Sequence, residues 1–154
     1  MAAKRDNPYG AFNFLVTAEN FGNSNAKAVE AGFQEISGLG MEVTEAEYRT
    51  GNDPENHVRK MNGIYKATDV TLKRGVIGVA DFFGWIKAVR DGDQNQRKTV
   101  KIELLDEAHA GTVVTWTLAN AKPKSYKGPT LNAKGGTDVA MEELMLSCEK
   151  IDVE

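Results

Sequence analysis

Two histidines, one cysteine, an adjacent pair of carboxylates and a short run of lysines are the residues of this chain best suited to chemistry. His57 and His109 each stand in a polar stretch with no cysteine or second histidine at ligand spacing. A zinc site draws on three or four such ligands, so both histidines read as plain loop residues. Glu142 and Glu143 are neighbours in strand-like text, where alternate side chains point to opposite faces, so only a bulge would bring them together as a general acid and base, and a solvated or interfacial role is expected. Cys148 follows Leu144 and Leu146 in an apolar alternation and reads as a buried thiol rather than a nucleophile. Gly75-Val-Ile-Gly78 places two glycines before a helix, as a phosphate-binding turn would, but lacks both nucleotide fingerprints and reads as a simple strand-to-helix turn. Lys122, Lys124 and Lys127, interleaved with Pro123, Tyr126 and Pro129, form a small basic patch suited to a solvated loop or an acidic partner. No acid, base and nucleophile assemble here, so the sequence implies neither an enzyme nor a cofactor.

Composition narrows the class further. The 154 residues match one domain, here taken as 1–154, and 41% hydrophobic with 27% charged residues is ordinary for a globular chain. A formal charge of −3 gives no basic footprint for nucleic acid. No apolar run approaches the roughly 18 residues needed to span a bilayer. The start, MAAKRDNPYG, has no apolar segment behind its basic residues, so no signal peptide is expected. A single cysteine excludes an internal disulfide and fits synthesis and assembly in a reducing cytoplasm.

The elements that must position these residues are mostly strands. Phe12, Phe14 and Val16 alternate with polar residues, as do Val100, Ile102, Leu104 and Val114, Trp116, Leu118. Asp106 to Gly111 reads as the hairpin loop between the latter two sets. Further strands are expected from about Ala28 to Ile36, from Met41 to Tyr48 and from Tyr65 to Lys73, with a bend at Ser37-Gly38-Leu39-Gly40. The final stretch, Val139 to Val153, is β-like but out of phase at Glu142-Glu143, which predicts a bulge. One helix is expected from about Val79 to Asp91, with Phe82, Ile86 and Val89 on its apolar face and Phe83 beside them. Asp81 suits its start, Lys87 and Arg90 its last turns, and Gly92 its close, while Gly84 inside it predicts close packing. The fold class is therefore mainly β, two packed antiparallel sheets forming a sandwich or small barrel, with one flanking amphipathic α-helix.

Arg49 to Gly63 is the exception, a long, polar, turn-rich insert between strands. A structureless loop of that length inside a compact domain usually has a use. Arg49, Asp53, Glu55, Arg59 and Lys60 mix both charge signs, which suits selecting a register against a partner.

NPYGAFNFLV, GFQEISGLGMEV, EYRTGNDPENHVRKMNG, VTLKRGV, a helix carrying FFGWI and a terminal MEELMLSCEKI follow one another from about Asn7 to Ile151. In that order and spacing the chain resembles the tail-tube proteins of contractile phages and phage-tail-like contractile injection systems. The family is related in fold to the haemolysin-coregulated tube proteins of type VI secretion. The resemblance implies a structural protein without enzymatic activity, six protomers closing into a ring and rings stacking into a hollow tube. It implies sheath, baseplate and tube-terminating proteins as partners, and a lumen conducting cargo when the sheath contracts. The insert then becomes an inter-protomer or inter-ring docking loop carrying Arg49, Asp53, Pro54, Glu55, His57, Arg59 and Lys60. Lys87 and Arg90 are candidates for facing the sheath, and Thr71, Lys73, Lys101 and Glu103 for lining the lumen. The quoted words lean toward an extracellular injection particle. A phage virion tube conducting DNA is the alternative within the family, and a β-barrel binding a small apolar ligand is the rival outside it.

Overall fold

The computed structural model describes residues 4–18, 29–77 and 81–154, which hold ten strands and one helix. The strands are β1 (Phe14–Ala18), β2 (Val29–Ala31), β3 (Glu35–Ser37), β4 (Met41–Tyr48), β5 (Arg59–Ala67), β6 (Val70–Gly75), β7 (Lys98–Leu105), β8 (Thr112–Lys127), β9 (Met141–Ser147) and β10 (Lys150–Val153). The helix α1 (Asp81–Arg90) lies between β6 and β7. All pairings are antiparallel. They give two sheets, one of eight strands in the order β2-β1-β7-β8-β9-β6-β3 with β10 also on β8, and a ribbon of β4 and β5 alone.

The sixteen-residue β8 ties the large sheet together. Its first part pairs with β7, from Leu105↔Thr112 to Lys98↔Ala121, and its last part with β9, from Lys122↔Ser147 to Lys127↔Glu143. Pro123, which cannot donate to a ladder, sits where the β8–β9 register shifts. The expected hairpin loop at Asp106–Gly111 is present, closed by the Asp106 N–H donating to the Gly111 carbonyl at 3.1 Å.

Alternation explains the core. Val16 and Ala18, Val70 and Leu72, Val100 and Ile102, and Leu144 and Leu146 are buried from their strands and join Leu118, Ile151, Phe82 and Trp85 in one cluster. Burial of this kind is the main stabilising contribution to the fold.

Several expectations are corrected. The segment from Ala28 to Ile36 is two short strands rather than one, β2 pairing with β1 and β3 with β6; Ala28 itself lies outside the described residues. The segment from Tyr65 to Lys73 breaks at Thr68-Asp69, because Thr68 turns to donate its hydroxyl to the Gly40 carbonyl at 2.9 Å. There the chain crosses so close to Gly38 that a Cβ would lie 2.1 Å from the Asp69 carbonyl oxygen; with φ +86°, the position requires glycine. No bulge occurs at Glu142-Glu143. The register with β6 is continuous, Arg74↔Glu142 and Lys73↔Glu143, and the apparent phase break is a carboxylate facing the core.

The helix spans Asp81–Arg90, while Val79 lies outside the described residues. Its buried face is Phe82 and Trp85, with Ile86 and Val89 half-buried and Phe83 exposed. Trp85 was not expected there; its indole N–H donates to the Gln96 carbonyl at 2.9 Å. Gly84 has open space around a would-be Cβ, so it does not mark close packing. The helix closes as expected at Gly92, whose N–H donates to the Val89 carbonyl at 3.2 Å.

Candidate assembly surface

The ribbon of β4 and β5 is where this fold departs from ordinary packing. Its strands contribute no residue to the buried core, and Met41, Val43, Tyr48, Met61, Ile64 and Tyr65 are all exposed, Ile64 by 75%. An isolated two-stranded hairpin is marginal in water, and a contiguous exposed apolar surface marks an interaction site.

The ribbon also changes face along its length. Val43 pairs with Tyr65 and Ala46 with Met61, with a register shift between them. Val43 and Ala46 are three residues apart in one strand and so point to opposite sides. Near its root the apolar side is Met41, Val43 and Tyr65; toward its tip it is Ala46, Tyr48 and Met61, backed by Glu45, Glu47 and Lys60. The switch is a bulge at Gly63-Ile64 opposite Thr44, whose hydroxyl donates to the Ile64 carbonyl at 2.8 Å. A Cβ on Gly63 would lie 2.7 Å from Thr44 Oγ1 and 2.9 Å from its carbonyl oxygen, so only glycine lets the strands approach there.

The insert expected at Arg49–Gly63 is shorter than its sequence implied. Arg59 and Lys60 already lie in β5, leaving a connection over residues 49–58. That connection is ordered. The Arg49 guanidinium donates to the Glu55 carbonyl at 3.3 Å, the Asp53 carbonyl at 3.4 Å and Asn56 Oδ1 at 3.3 Å. Asp53 accepts the Thr50 N–H at 3.2 Å and faces Arg59 at 4.0 Å. His57 Nδ1 lies 3.1 Å from Glu55, and Lys60 lies 3.8 Å from Glu45. Pro54, Glu55, His57, Arg59 and Lys60 are exposed. Arg49 thus shapes the tip, while the others display charge.

A second exposed region lies at the far end of the sheet. Gly75, the last residue of β6, pairs with Met141, and the Val76 N–H donates to the Ala140 carbonyl at 2.9 Å. Residues 128–140 connect β8 to β9 at this end around a cleft of about 600 Å³, lined by residues including Lys127, Asn132, Asp138 and Glu143. Val76, Ile77, Leu131 and Val139 are exposed here, Leu131 by 81%. Sequence reasoning missed this region, since its Gly-Pro and Gly-Gly steps signal only a turn.

Beneath that end sits a buried polar network, also missed. Arg74 and Glu142 are 2% and 5% exposed, and Arg74 Nε donates to Glu142 Oε1 at 2.6 Å. The Tyr126 hydroxyl donates to Glu142 Oε2 at 3.0 Å, and the Arg74 guanidinium lies 4.0 Å over the Phe82 ring. Burial, then the bond to Glu142, raises the Tyr126 pKa and keeps the phenol a donor.

The remaining sequence-selected residues are dispersed. Lys87 and Arg90 are exposed on α1 beside Phe83 and Tyr126. Thr71 and Lys73 on β6, and Lys101 and Glu103 on β7, alternate with core residues and share the opposite face of the large sheet, but β8 and β9 separate the two pairs. Lys73 lies 3.7 Å from Glu35 and 3.6 Å from Glu143. The basic patch is partly neutralised, Lys124 lying 2.6 Å from Asp69. Cys148 is half-buried, with its pKa raised by burial.

A ribbon with most of its apolar side chains exposed marks an interaction surface on this β domain, and comparison with known proteins gives it a setting. Residues 10–152 match the family of the T4-like virus tail tube protein gp19. The chain belongs to that tail-tube family. Among solved structures it is similar to a chain of the sheath–tube complex of an extracellular contractile injection system (PVC) in the extended state. There it is 27% identical over 97% of this chain and 93% of the other, with a TM-score of 0.80. It is also similar to a chain of the six-fold symmetrised baseplate of the anti-feeding prophage, 25% identical over 97% of both chains with a TM-score of 0.84. Hcp1 from Flavobacterium johnsoniae, 13% identical over 91% of this chain and 93% of the other with a TM-score of 0.53, shares the fold. No curated protein sequence compared with it matches. The tail-tube protein is a structural tube component and not an enzyme.

Proposed function

We propose that this chain closes into six-membered rings that stack into the inner tube of an extracellular contractile injection particle. The observation that carries this reading is the unpacked β4–β5 ribbon with its exposed apolar sides. In a polymer each such surface is covered by another copy, and head-to-tail contacts either close a ring by rotation or extend a filament. The curvature of the large sheet supports a barrel-like protomer. Phe14 near one edge of its strand order and Ile36 at the other line the same cleft of about 280 Å³. The six-fold symmetry of the anti-feeding prophage baseplate supports a hexamer.

Within this reading the chain is one tube domain whose ribbon tip, with Asp53, Pro54, Glu55, His57, Arg59 and Lys60, docks on neighbouring copies, and Arg49 holds the tip in shape. Lys87 and Arg90 face a contractile sheath. Thr71, Lys73, Lys101 and Glu103 line a lumen that conducts cargo. Baseplate and terminating proteins cap the two tube ends. The injection-particle relatives at 25–27% identity favour that setting over a virion. Negative-stain microscopy and sedimentation of the purified protein across a concentration series test the assembly. Rings and tubes are the expected species, and monomers at every concentration refute it.

A further inference from the structure

We propose that Asn62 is a site of spontaneous, non-enzymatic modification, its side-chain amide lost to form aspartate or isoaspartate, and that a subunit changed in this way is excluded from assembly. The modification stands on the chemistry of the ribbon alone, while its consequence rests on the tube reading. Asn62-Gly63 is the one Asn-Gly step of the chain. Such a step is the pair expected at the tip of a two-residue hairpin. Here the tip lies over residues 49–58, and the pair falls inside β5.

The nucleophile is the Gly63 main-chain nitrogen, which has to reach Cγ of Asn62. With no Cβ, Gly63 leaves that approach open. Both residues are exposed to water, and neither belongs to the packed core. In a regular strand the pleat holds the two atoms apart. The register, however, skips from Glu45↔Asn62 to Val43↔Tyr65, which puts Gly63-Ile64 in the bulge opposite Thr44. A bulge disrupts the ladder locally, so the backbone is freed from the pleat at the reacting atoms. Attack forms the Gly63 N–Cγ bond of a five-membered succinimide and breaks the bond from Cγ to the side-chain nitrogen, which leaves as ammonia with the Gly63 N–H proton. Water then opens the ring. Addition at Cγ breaks the new bond and gives aspartate. Addition at the main-chain carbonyl carbon breaks the original peptide bond and leaves the chain linked through Cγ as isoaspartate. The net change is one water consumed and one ammonia released.

Either product places a carboxylate at position 62, opposite Glu45 and on the side of the ribbon that carries Glu47 and Lys60. Lys60, 3.8 Å from Glu45, already balances one carboxylate there. Like charges directly opposite in an antiparallel pair are destabilising. Isoaspartate also lengthens the main chain by one carbon, beside a glycine whose Cβ would lie 2.7 Å from Thr44 Oγ1. The bulge has no room for that addition, so the ribbon beyond it is re-aimed and its apolar sides no longer match another copy.

Mass spectrometry of the purified full-length chain tests the site. The chain is kept dilute and unassembled in mildly alkaline buffer, sampled over days and digested with trypsin, which releases residues 61–66 (MNGIYK). A zero-time sample corrects for change during digestion. The expected result is a steady gain, in that peptide, of the mass of an amide-to-acid exchange, divided between two chromatographic forms. An unchanged 61–66 peptide, or a rate no faster than at Asn132, which precedes Ala133, overturns the site. Asn62→Gln, whose longer side chain does not match the five-membered ring, should abolish the gain, and a persistent gain in that variant also overturns it. Aged chain is then mixed with fresh chain, assembled and pelleted. The modified peptide should be several-fold depleted in pelleted tubes relative to the supernatant, and Asn62→Gln should assemble equally well before and after the incubation. Equal shares in pellet and supernatant overturn the exclusion. Failure of fresh chain to form rings or tubes removes the tube reading, and the exclusion with it, but leaves the mass measurement of the site in force.

Discussion

Glu142→Gln tests whether the buried network beneath the sheet end is held by charge or only by shape. Gln keeps the size of the side chain but leaves the Arg74 guanidinium, 2% exposed, without its carboxylate at 2.6 Å. Breaking a buried pair from one side costs about 3–5 kcal/mol, because the desolvated guanidinium loses the carboxylate that compensates it there. For a chain of this size each kcal/mol moves the midpoint by about 2–4 °C, so the expected fall in Tm is roughly 6–20 °C. Urea denaturation should show a lower midpoint with an unchanged slope, which separates lost stability from a changed unfolded state. Protomer concentration must be held fixed, since assembly itself stabilises the folded form. The triple variant Arg74→Met, Glu142→Leu, Tyr126→Phe removes charge and orphaned hydroxyl together and should recover most of the loss. A loss below about 1 kcal/mol for Glu142→Gln, or equal losses for the single and triple variants, refutes the charge argument.

The other predictions concern assembly and acid. Gly63→Ala drives a Cβ against Thr44 and should disrupt the ribbon bulge and tube formation, while core stability changes by under ~1 kcal/mol because only Ala67, at the root of the ribbon, packs against the core; normal tubes by sedimentation would contradict it. Replacing residues 50–57 with a two-residue Asn-Gly turn should leave folded protein that forms rings without tubes in electron micrographs. Reversing Arg59 and Lys60 together should weaken assembly more at low salt than at high salt, since exposed charges are screened; an unchanged salt response in light scattering sinks this assignment. The Arg5 side chain, followed by backbone N–H groups including that of Gly10, lowers the Glu107 pKa from an ordinary 4.5 to about 2. Because the folded pKa is depressed, this tie between residues 5–10 and the β7–β8 turn is fully present above pH 4.5 and lost as pH falls through about 2. A carboxyl titration by NMR with a midpoint near 4.5 would show that the tie does not form.

Much of the fold was legible because strand alternation is a local property. Met41–Tyr48, the Val100–Leu104 set and the loop at Asp106–Gly111 stand where the pattern placed them. The misses share a cause. Glu142 looked like a break in phase because a charged residue on the core face is indistinguishable from a slipped register until Arg74 is seen opposite it. Arg59 and Lys60 looked like loop because a strand with both faces exposed carries no burial signal. Trp85 was missed because the helix buries the face that carries Phe82 and Trp85, with the Trp85 indole reaching Gln96 just before β7, which its own spacing does not encode.

By itself the sequence determined that this is a mainly β chain with one helix, no catalytic constellation and the word order of a tail-tube protein. Those are properties of residue type and near-neighbour spacing. Only the tertiary structure decided that β4 and β5 stand alone, that their apolar side reverses at Gly63, and that a second apolar surface lies at the other end of the sheet. Exposure is a relation between segments far apart in the chain, so it exists only once the strands have been assigned their neighbours.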